Sequence, residues 1–153
     1  RGLGIDNECG LSELLSGKAA LGECVQRLID PDLWVMPAGA TPPNPSELLG
    51  SGRMEGLMAQ VQAGPFDWVI VDTPPVLAVT DASILTQWVS GVAFVIGSEM
   101  TRRRLAERAI ETLTAGRPRI LGAVLNRVNV SRNRYYYARH YGYGRYLLAE
   151  QES

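Results

Sequence analysis

A carboxylate that closes a short apolar run is the first side chain in this sequence that could do chemistry. Asp72 follows the apolar residues 68–71 and precedes Thr73, Pro74 and Pro75. Because proline has no backbone N–H to donate, we expect a strand to end at Asp72. Ligands of open α/β sheets bind at the carboxyl ends of the strands, where an aspartate can bind Mg²⁺ or orient a nucleophile at the phosphates of a nucleotide. The alternative is an aspartate that only caps a turn.

A second polar pair, Asn126 and Arg127, follows the apolar run 120–125. The amide of Asn126 both donates and accepts hydrogen bonds, which suits the edge of an adenine ring. Asparagine also favours turns, so the alternative is that Asn126 only begins a loop.

The tyrosines form the third candidate, because all six of them lie near the C-terminus. They are Tyr135, Tyr136, Tyr137, Tyr141, Tyr143 and Tyr146, interleaved with four arginines, Arg132, Arg134, Arg139 and Arg145. Such a segment could stack on single-stranded nucleic acid. It could equally present hydroxyls for phosphorylation, and adhesive low-complexity sequence is a third interpretation. Residues 102–153 hold eleven arginines against four acidic residues, so this basic half could meet nucleic acid, acidic lipid, phosphate groups or the acidic face of another protein, and charge does not choose among them.

The elements that must position these residues alternate between helix and strand. Apolar spacing and capping residues predict helices within Asp6–Gly17, from an N-cap at Ser46 to Val61, over Thr80–Val89 and from a Thr101 cap to Ala115. Strands are predicted at Leu33–Met36, Asp67–Asp72, Val92–Ile96 and Ile120–Leu125, while 19–28 stays open between helix and loop. This alternation favours an α/β fold with a doubly wound, mostly parallel sheet and helices on both faces.

Length and composition set outer limits on the protein. The 153 residues, 46% of them hydrophobic, suffice for one domain, and no apolar run approaches the roughly 18 residues that cross a bilayer. Cys9 and Cys24 lack metal-ligand spacing, so we expect two reduced thiols rather than a disulfide. The first residue is Arg1 rather than methionine, and we expect an internal piece of a longer polypeptide.

Taken together, the motifs resemble those of the bacterial tyrosine kinases of capsule and exopolysaccharide synthesis, a branch of the deviant phosphate-loop ATPases. The motifs are Gly10–Gly17, Pro37–Gly39, the Asn-Pro-Ser-Glu-Leu-Leu sequence within Pro43–Leu49, Val71–Pro75, Thr80–Ala82, Gly122–Arg127 and the tyrosine cluster. The resemblance extends over nearly the whole chain, from about Gly4 to Tyr146.

This resemblance implies a non-specific protein-tyrosine kinase that uses ATP and Mg²⁺. Asp72 would act in catalysis and hold Mg²⁺ through water, next to the nucleotide-binding Thr73 and Pro74, while Asn126 and Arg127 would contact adenine. The six tyrosines would be phosphorylated between neighbouring subunits of a ring. The implied partners are a membrane polysaccharide co-polymerase, fused or separate, and a tyrosine phosphatase. The implied location is the cytoplasm, at the inner face of the plasma membrane.

The family's phosphate-binding loop and its second acidic strand would lie upstream of Arg1. Lys18 does not replace the loop, because its surroundings do not match the Gly-x-x-x-x-Gly-Lys-Ser/Thr pattern. We therefore expect residues 1–130 to be the C-terminal two-thirds of a kinase domain, followed by a flexible tail over 131–153. The isolated chain should transfer little phosphate and should expose an apolar strand edge.

Two other functions stay open at this point. A partition-type ATPase switch would share the Asp72 strand, but it would not concentrate every tyrosine in one terminal segment. A nucleic-acid-binding module would use the Arg/Tyr tail and would show strongly salt-dependent binding. The kinase interpretation expects no nucleic-acid partner.

Overall fold

A computed structural model describes residues 4–28 and 33–129, and this part of the chain is α/β, as predicted. The helices are α1 (Leu11–Ser16), α2 (Leu21–Cys24), α3 (Pro45–Leu49), α4 (Gly52–Ala63), α5 (Asp81–Leu85) and α6 (Arg103–Thr114). The strands are β1 (Gln26–Arg27), β2 (Trp34–Val35), β3 (Val92–Gly97) and β4 (Ile120–Asn126). The predicted tail over 131–153, with its six tyrosines, lies outside the described residues.

The best-formed sheet is the parallel pair of β3 and β4, connected through α6. Its register runs from Val92 beside Ile120 to Gly97 beside Asn126, so both strands end at the same edge. The predicted ends of both strands agree with the observed ends to within one residue. Other described elements cover the faces of this two-stranded sheet only in part, since apolar side chains such as Val95 and Val124 are more than half exposed.

The predicted strand over Asp67–Asp72 is wrong for the structure as described, because this segment forms no β-strand. A strand exists only where a neighbour accepts and donates its backbone hydrogen bonds, and within the described ranges none pairs with it. Its apolar side chains consequently lie in solvent: Trp68 is 84% exposed and Ile70 is 87% exposed. The segment is thus apolar and exposed, but it is not the exposed strand edge that the sequence predicts.

The N-terminal region differs from the prediction in its pairing. The strand predicted at 33–36 shortens to β2 and pairs antiparallel with β1, which forms in the stretch left open. The Arg27 guanidinium carbon lies 5.3 Å from the centre of the Trp34 ring, across this short ladder. Local sequence could not reveal the pairing because each strand has only two residues.

The helix predicted from Ser46 to Val61 is two helices in the structure. Asn44 is the N-cap of α3 and Pro45 its first residue, so the predicted cap at Ser46 is wrong by two positions. The break falls at Gly50, and Ser51 then caps α4 by accepting a hydrogen bond from the Met54 N–H at 3.4 Å. Glycine favours helix ends over helix interiors, which explains the break.

Two further helices are shorter than predicted. Helix α5 ends at Leu85 rather than Val89, and α6 begins after an Arg102 N-cap rather than a Thr101 cap. At the other end of the chain, Gly17 ends α1 with a left-handed φ of 76°, as its type predicts.

The core lies among α1, α3, α4 and α5. It consists of buried Leu15, Leu49, Met54, Leu57, Met58 and Leu85. The indole of Trp88 closes one side of this cluster and donates a hydrogen bond to the Leu49 carbonyl at 3.0 Å. Among the helices described, none is both long and apolar enough to cross a membrane.

Candidate functional site

Asp72 lies in an exposed segment between α4 and α5. Its carboxylate has no hydrogen-bond or ion-pair partner among the described residues, and Thr73 beside it is half-buried. Pro74 is exposed, and the chain then turns through a hydrogen bond of 2.8 Å from the Ala78 N–H to the Pro75 carbonyl. The geometry therefore leaves the carboxylate oxygens open to a ligand.

Asn126 and Arg127 lie at the edge where β3 and β4 end. The Asn126 side-chain oxygen accepts a hydrogen bond from the Arg127 N–H at 2.8 Å, and its backbone carbonyl accepts one from the Ser98 N–H at 2.8 Å. Arg127 has a left-handed φ of 59°, and its guanidinium lies 3.1 Å from the Met100 sulfur. The bonds of Asn126 are thus local ones at the end of β4, and the residue is exposed.

The structure does not connect the predicted site residues directly. No hydrogen bond or ion pair within residues 4–28 and 33–129 links Asp72 with Asn126 or Arg127. Asn126 and Arg127 share one edge of the parallel pair, whereas Asp72 lies on a segment outside it.

A contact that the sequence did not predict links two of its motifs. The Ser46 hydroxyl lies 3.0 Å from the Thr80 hydroxyl and 3.3 Å from an Asp81 carboxylate oxygen. This contact fixes the start of α3 to the start of α5, and α5 ends the loop that follows Asp72. Ser46 and Thr80 are 34 positions apart, so their contact could not be predicted from the sequence.

A second unpredicted contact holds the loop Pro37–Ala40 against the start of α1. The Leu11 N–H donates to the Pro37 carbonyl at 2.9 Å, and the Ser12 N–H donates to the Ala38 carbonyl at 3.0 Å. The side chains of Asn7, Ser12 and Glu13, here called the clamp, hold the rest of the loop.

The clamp forms four hydrogen bonds with Gly39 and Ala40. Asn7 donates to the Gly39 carbonyl at 3.0 Å and accepts from the Gly39 N–H at 2.9 Å. Glu13 accepts from the Ala40 N–H at 3.2 Å. The Ser12 hydroxyl lies 2.6 Å from the Ala40 carbonyl and 3.1 Å from Glu13 Oε2, so its single hydrogen serves one of these at a time. The clamp thereby fixes the loop that leads into α3.

The pKa of Glu13 is lowered by its place in the clamp. Burial raises the pKa, but hydrogen bonds from the N–H groups of Glu13 and Gly10, the Ser12 hydroxyl and the Ala40 N–H together lower it below the ordinary value of 4.5. A carboxyl with a lowered folded-state pKa stabilises the fold above its unfolded pKa and loses that contribution as the pH falls through the folded value.

We expect Glu13→Gln to reduce the unfolding temperature most above pH 4.5, and the difference from the parent protein to shrink as the pH falls below that value. Thermal unfolding followed by circular dichroism from neutral to acidic pH measures this. Glu55→Gln, which changes an exposed carboxylate of α4, is the control. A Glu13→Gln difference that stays constant over the whole pH range would contradict the prediction.

The two cysteines form a disulfide, so the expectation of reduced thiols is wrong for this structure. Cys9 and Cys24 are joined with their Cα atoms 4.9 Å apart. The two cysteines are 15 residues apart in the sequence, and they meet because α1 and α2 fold back on each other. The spacing alone does not indicate this fold-back.

No cluster of three or more metal-ligating side chains occurs in the part of the chain that is described. At nucleotide sites, Mg²⁺ is typically held by one or two carboxylates together with water and phosphate oxygens. The single exposed carboxylate of Asp72 fits that chemistry.

Comparison with known proteins finds similar sequences and similar solved structures. No family model matches the chain. It is 38% identical over 132 residues to the tyrosine-protein kinase YwqD of Bacillus subtilis, a match that covers 86% of this chain and 55% of that protein. Its fold is similar to that of the chimerical protein CapA2B2, with a TM-score of 0.78 and 33% identity over 82% of this chain and 55% of the other.

The kinase domain of the Escherichia coli tyrosine kinase ETK is also similar, with a TM-score of 0.73 and 35% identity over 82% of this chain and 50% of that one. The chain therefore spans about half the length of these relatives. Identity above 30% together with a shared fold confirms the resemblance seen in the motifs. The chain is homologous to the bacterial tyrosine-protein kinases.

Proposed function

We propose that this chain is part of a protein-tyrosine autokinase, which transfers the γ-phosphate of ATP to the tyrosines of its own tail. The observation that carries the proposal is the similarity to tyrosine kinase domains in both sequence and fold, together with an exposed carboxylate at Asp72. YwqD and ETK are named as tyrosine kinases, which favours this function over a partition-type switch or a nucleic-acid-binding module.

Asp72 is the proposed catalytic residue. Its carboxylate is exposed and has no hydrogen-bond or ion-pair partner among the described residues, so it can hold Mg²⁺ through water and orient a tyrosine hydroxyl. Bound Mg²⁺ would neutralise charge on the phosphates of ATP. Thr73 and Pro74 would line the nucleotide beside it, and Pro74 fixes the backbone there because its φ is restricted.

Asn126 and Arg127 are the proposed adenine contacts. The side-chain oxygen of Asn126 is occupied by the Arg127 N–H, so the side chain is held in one orientation. Its amide nitrogen would then donate to a ring nitrogen of adenine. The guanidinium of Arg127, which lies against the Met100 sulfur, would stack on or beside the base.

The tail supplies the acceptors in this proposal. Each phosphate adds a charge of about −1.5 to −2 among the arginines of the tail. Transfer between subunits of a ring would then change how each tail docks on its neighbour, and a tyrosine phosphatase would reset it. We place the protein in the cytoplasm at the inner face of the plasma membrane, beside a polysaccharide co-polymerase. There it would regulate exopolysaccharide or capsule polymerisation and export.

The test is peptide mass spectrometry of the protein made from its natural gene in its source organism, after incubation with Mg²⁺ and ATP. We expect several phosphates on residues 135–146, and none when the six tyrosines are replaced with phenylalanine. A matched sample without Mg²⁺ is the control. A tail that stays unmodified, or one that binds single-stranded DNA in a salt-dependent manner, would overturn the proposal.

A further inference from the structure

The disulfide occupies a position that the proposed function does not use. Cys9 directly precedes Gly10, the N-cap of α1, and Cys24 is the last residue of α2. Cys24 is completely buried, whereas Cys9 is half-buried. The disulfide thus connects a partly exposed residue to a buried one, and Cys9 lies between the clamp residues Asn7 and Ser12 in the sequence.

Hydrogen bonds hold the two cysteines together independently of the sulfur atoms. The Asp6 N–H donates to the Gln26 side-chain oxygen at 3.0 Å, and the Gln26 side-chain nitrogen donates to the Asp6 carbonyl at 2.6 Å. This reciprocal pair lies three residues before Cys9 and two after Cys24. The reduced thiols would therefore stay close to each other, which favours closing the disulfide within one chain.

Contacts other than the disulfide also hold the fold around it. Helix α1 is anchored by Leu15, which is 3% exposed in the core, and by the backbone hydrogen bonds of Leu11 and Ser12 to the loop. Reduction should therefore leave α1 in place and free only the chain around Cys9. A disulfide whose loss leaves the fold intact can open and close in the folded protein.

We propose that Cys9 and Cys24 form a reversible disulfide that sets the rigidity of the clamp on Gly39 and Ala40. The partly exposed Cys9 thiolate attacks a low-molecular-weight disulfide, such as oxidised glutathione, and releases one thiol. The Cys24 thiolate then attacks the Cys9 sulfur and expels the second thiol. Two protein thiols are oxidised and one external disulfide is reduced to two thiols, so electrons and atoms balance.

The coupling to the clamp follows from the chain sequence. Asn7 lies two residues before Cys9, and Gly10 directly after it donates a hydrogen bond to Glu13 at 3.0 Å. Fixing Cys9 to Cys24 therefore restricts the residues on both sides that bind Gly39 and Ala40. Opening the bond gives Asn7 and Gly10 more freedom and loosens the loop Pro37–Ala40.

The first measurement is redox titration of the purified protein in mixtures of reduced and oxidised glutathione, followed by alkylation and mass spectrometry. We expect one intramolecular disulfide between Cys9 and Cys24 in oxidising buffer and two free thiols in reducing buffer. The second measurement is hydrogen exchange of the Gly39 and Ala40 amides, whose N–H groups bind Asn7 and Glu13 directly. Oxidation should slow their exchange at least about fivefold.

The protein carrying both Cys9→Ser and Cys24→Ser is the matched control, since its clamp exchange should not respond to the buffer. Amides of β3 and β4 provide an internal control in the same samples, because they lie in a separate sheet. If the cysteines form mixed glutathione adducts and no Cys9–Cys24 bond, the proposal is overturned. Equal exchange of Gly39 and Ala40 in oxidised and reduced protein would overturn it as well. Neither measurement depends on kinase activity.

Discussion

The Asp72→Asn substitution is expected to slow the phosphorylation of the tail tyrosines at least about 100-fold, as loss of one preorganised electrostatic contact to a transition state does. Asparagine keeps the size and polarity of the side chain but removes its charge. Since Asp72 is exposed and shares its carboxylate with no described residue, the change should leave the fold unaltered. The measurement is the initial rate of phosphate incorporation into residues 135–146, in the protein made from its natural gene.

Asp67→Asn is the matched control for that experiment. Asp67 is also exposed and lies five residues earlier on the same segment, at the end of it away from Pro74. Its substitution should leave the rate within about twofold of the parent protein, because a distant exposed charge is screened by water and salt. Equal rates for Asp72→Asn and the parent would remove Asp72 from the mechanism, and an equal loss in both variants would indicate a general charge effect.

Gly10→Ala should lower the free energy of unfolding by about 3 kcal/mol, at the upper end of the range for overpacking a tightly packed site. A Cβ atom added at Gly10 would overlap the Gly39 nitrogen and the Pro37 carbonyl oxygen, and it would lie 2.7 Å from the Ala38 carbonyl carbon. All three are backbone atoms, so no side-chain rotation can relieve the overlap. The clamp and the loop must separate instead.

Gly56→Ala is the control, because the same methyl group is added where no atom of residues 4–28 and 33–129 lies within 4 Å. Gly56 is exposed in the interior of α4, so alanine should raise the free energy of unfolding there by about 0.5–1 kcal/mol through its higher helix propensity. Urea denaturation monitored by circular dichroism measures both variants. If the two substitutions shift stability in the same direction, the close approach at Gly10 is not as the structure shows it.

The clamp gives the Gly10–Gly17 motif a physical role. Its first glycine allows two backbones to meet, its Ser12 and Glu13 bind Gly39 and Ala40, and Gly17 ends the helix. The loop that it holds leads through prolines into α3, which Ser46 fixes to α5. The Gly10–Gly17 motif and the motif that contains Ser46 therefore both help to position the segment after Asp72. They do so through contacts between elements far apart in the sequence.

The sequence alone determined the features that depend on neighbouring residues. The strands at Val92 and Ile120 follow from unbroken runs of apolar residues, and the end of α1 follows from a glycine that tolerates a left-handed φ. The relationship to tyrosine kinases was equally readable, because it rests on motif residues rather than on their distances. The roles of Asp72, Asn126 and the tail tyrosines remain predictions from those motifs.

Only the tertiary structure decided the features that depend on a distant partner. A carboxylate such as Glu13 could have faced solvent, and the fold alone aims it at the Ala40 N–H, 27 positions away. Cys9 and Cys24 meet because two short helices turn back, and Ser46 meets Thr80 across 34 positions. The segment 67–72 also depends on a distant partner, and here the described residues supply none. Its residues favour a strand, but a strand forms only when another backbone satisfies its hydrogen bonds, and within the described residues none does.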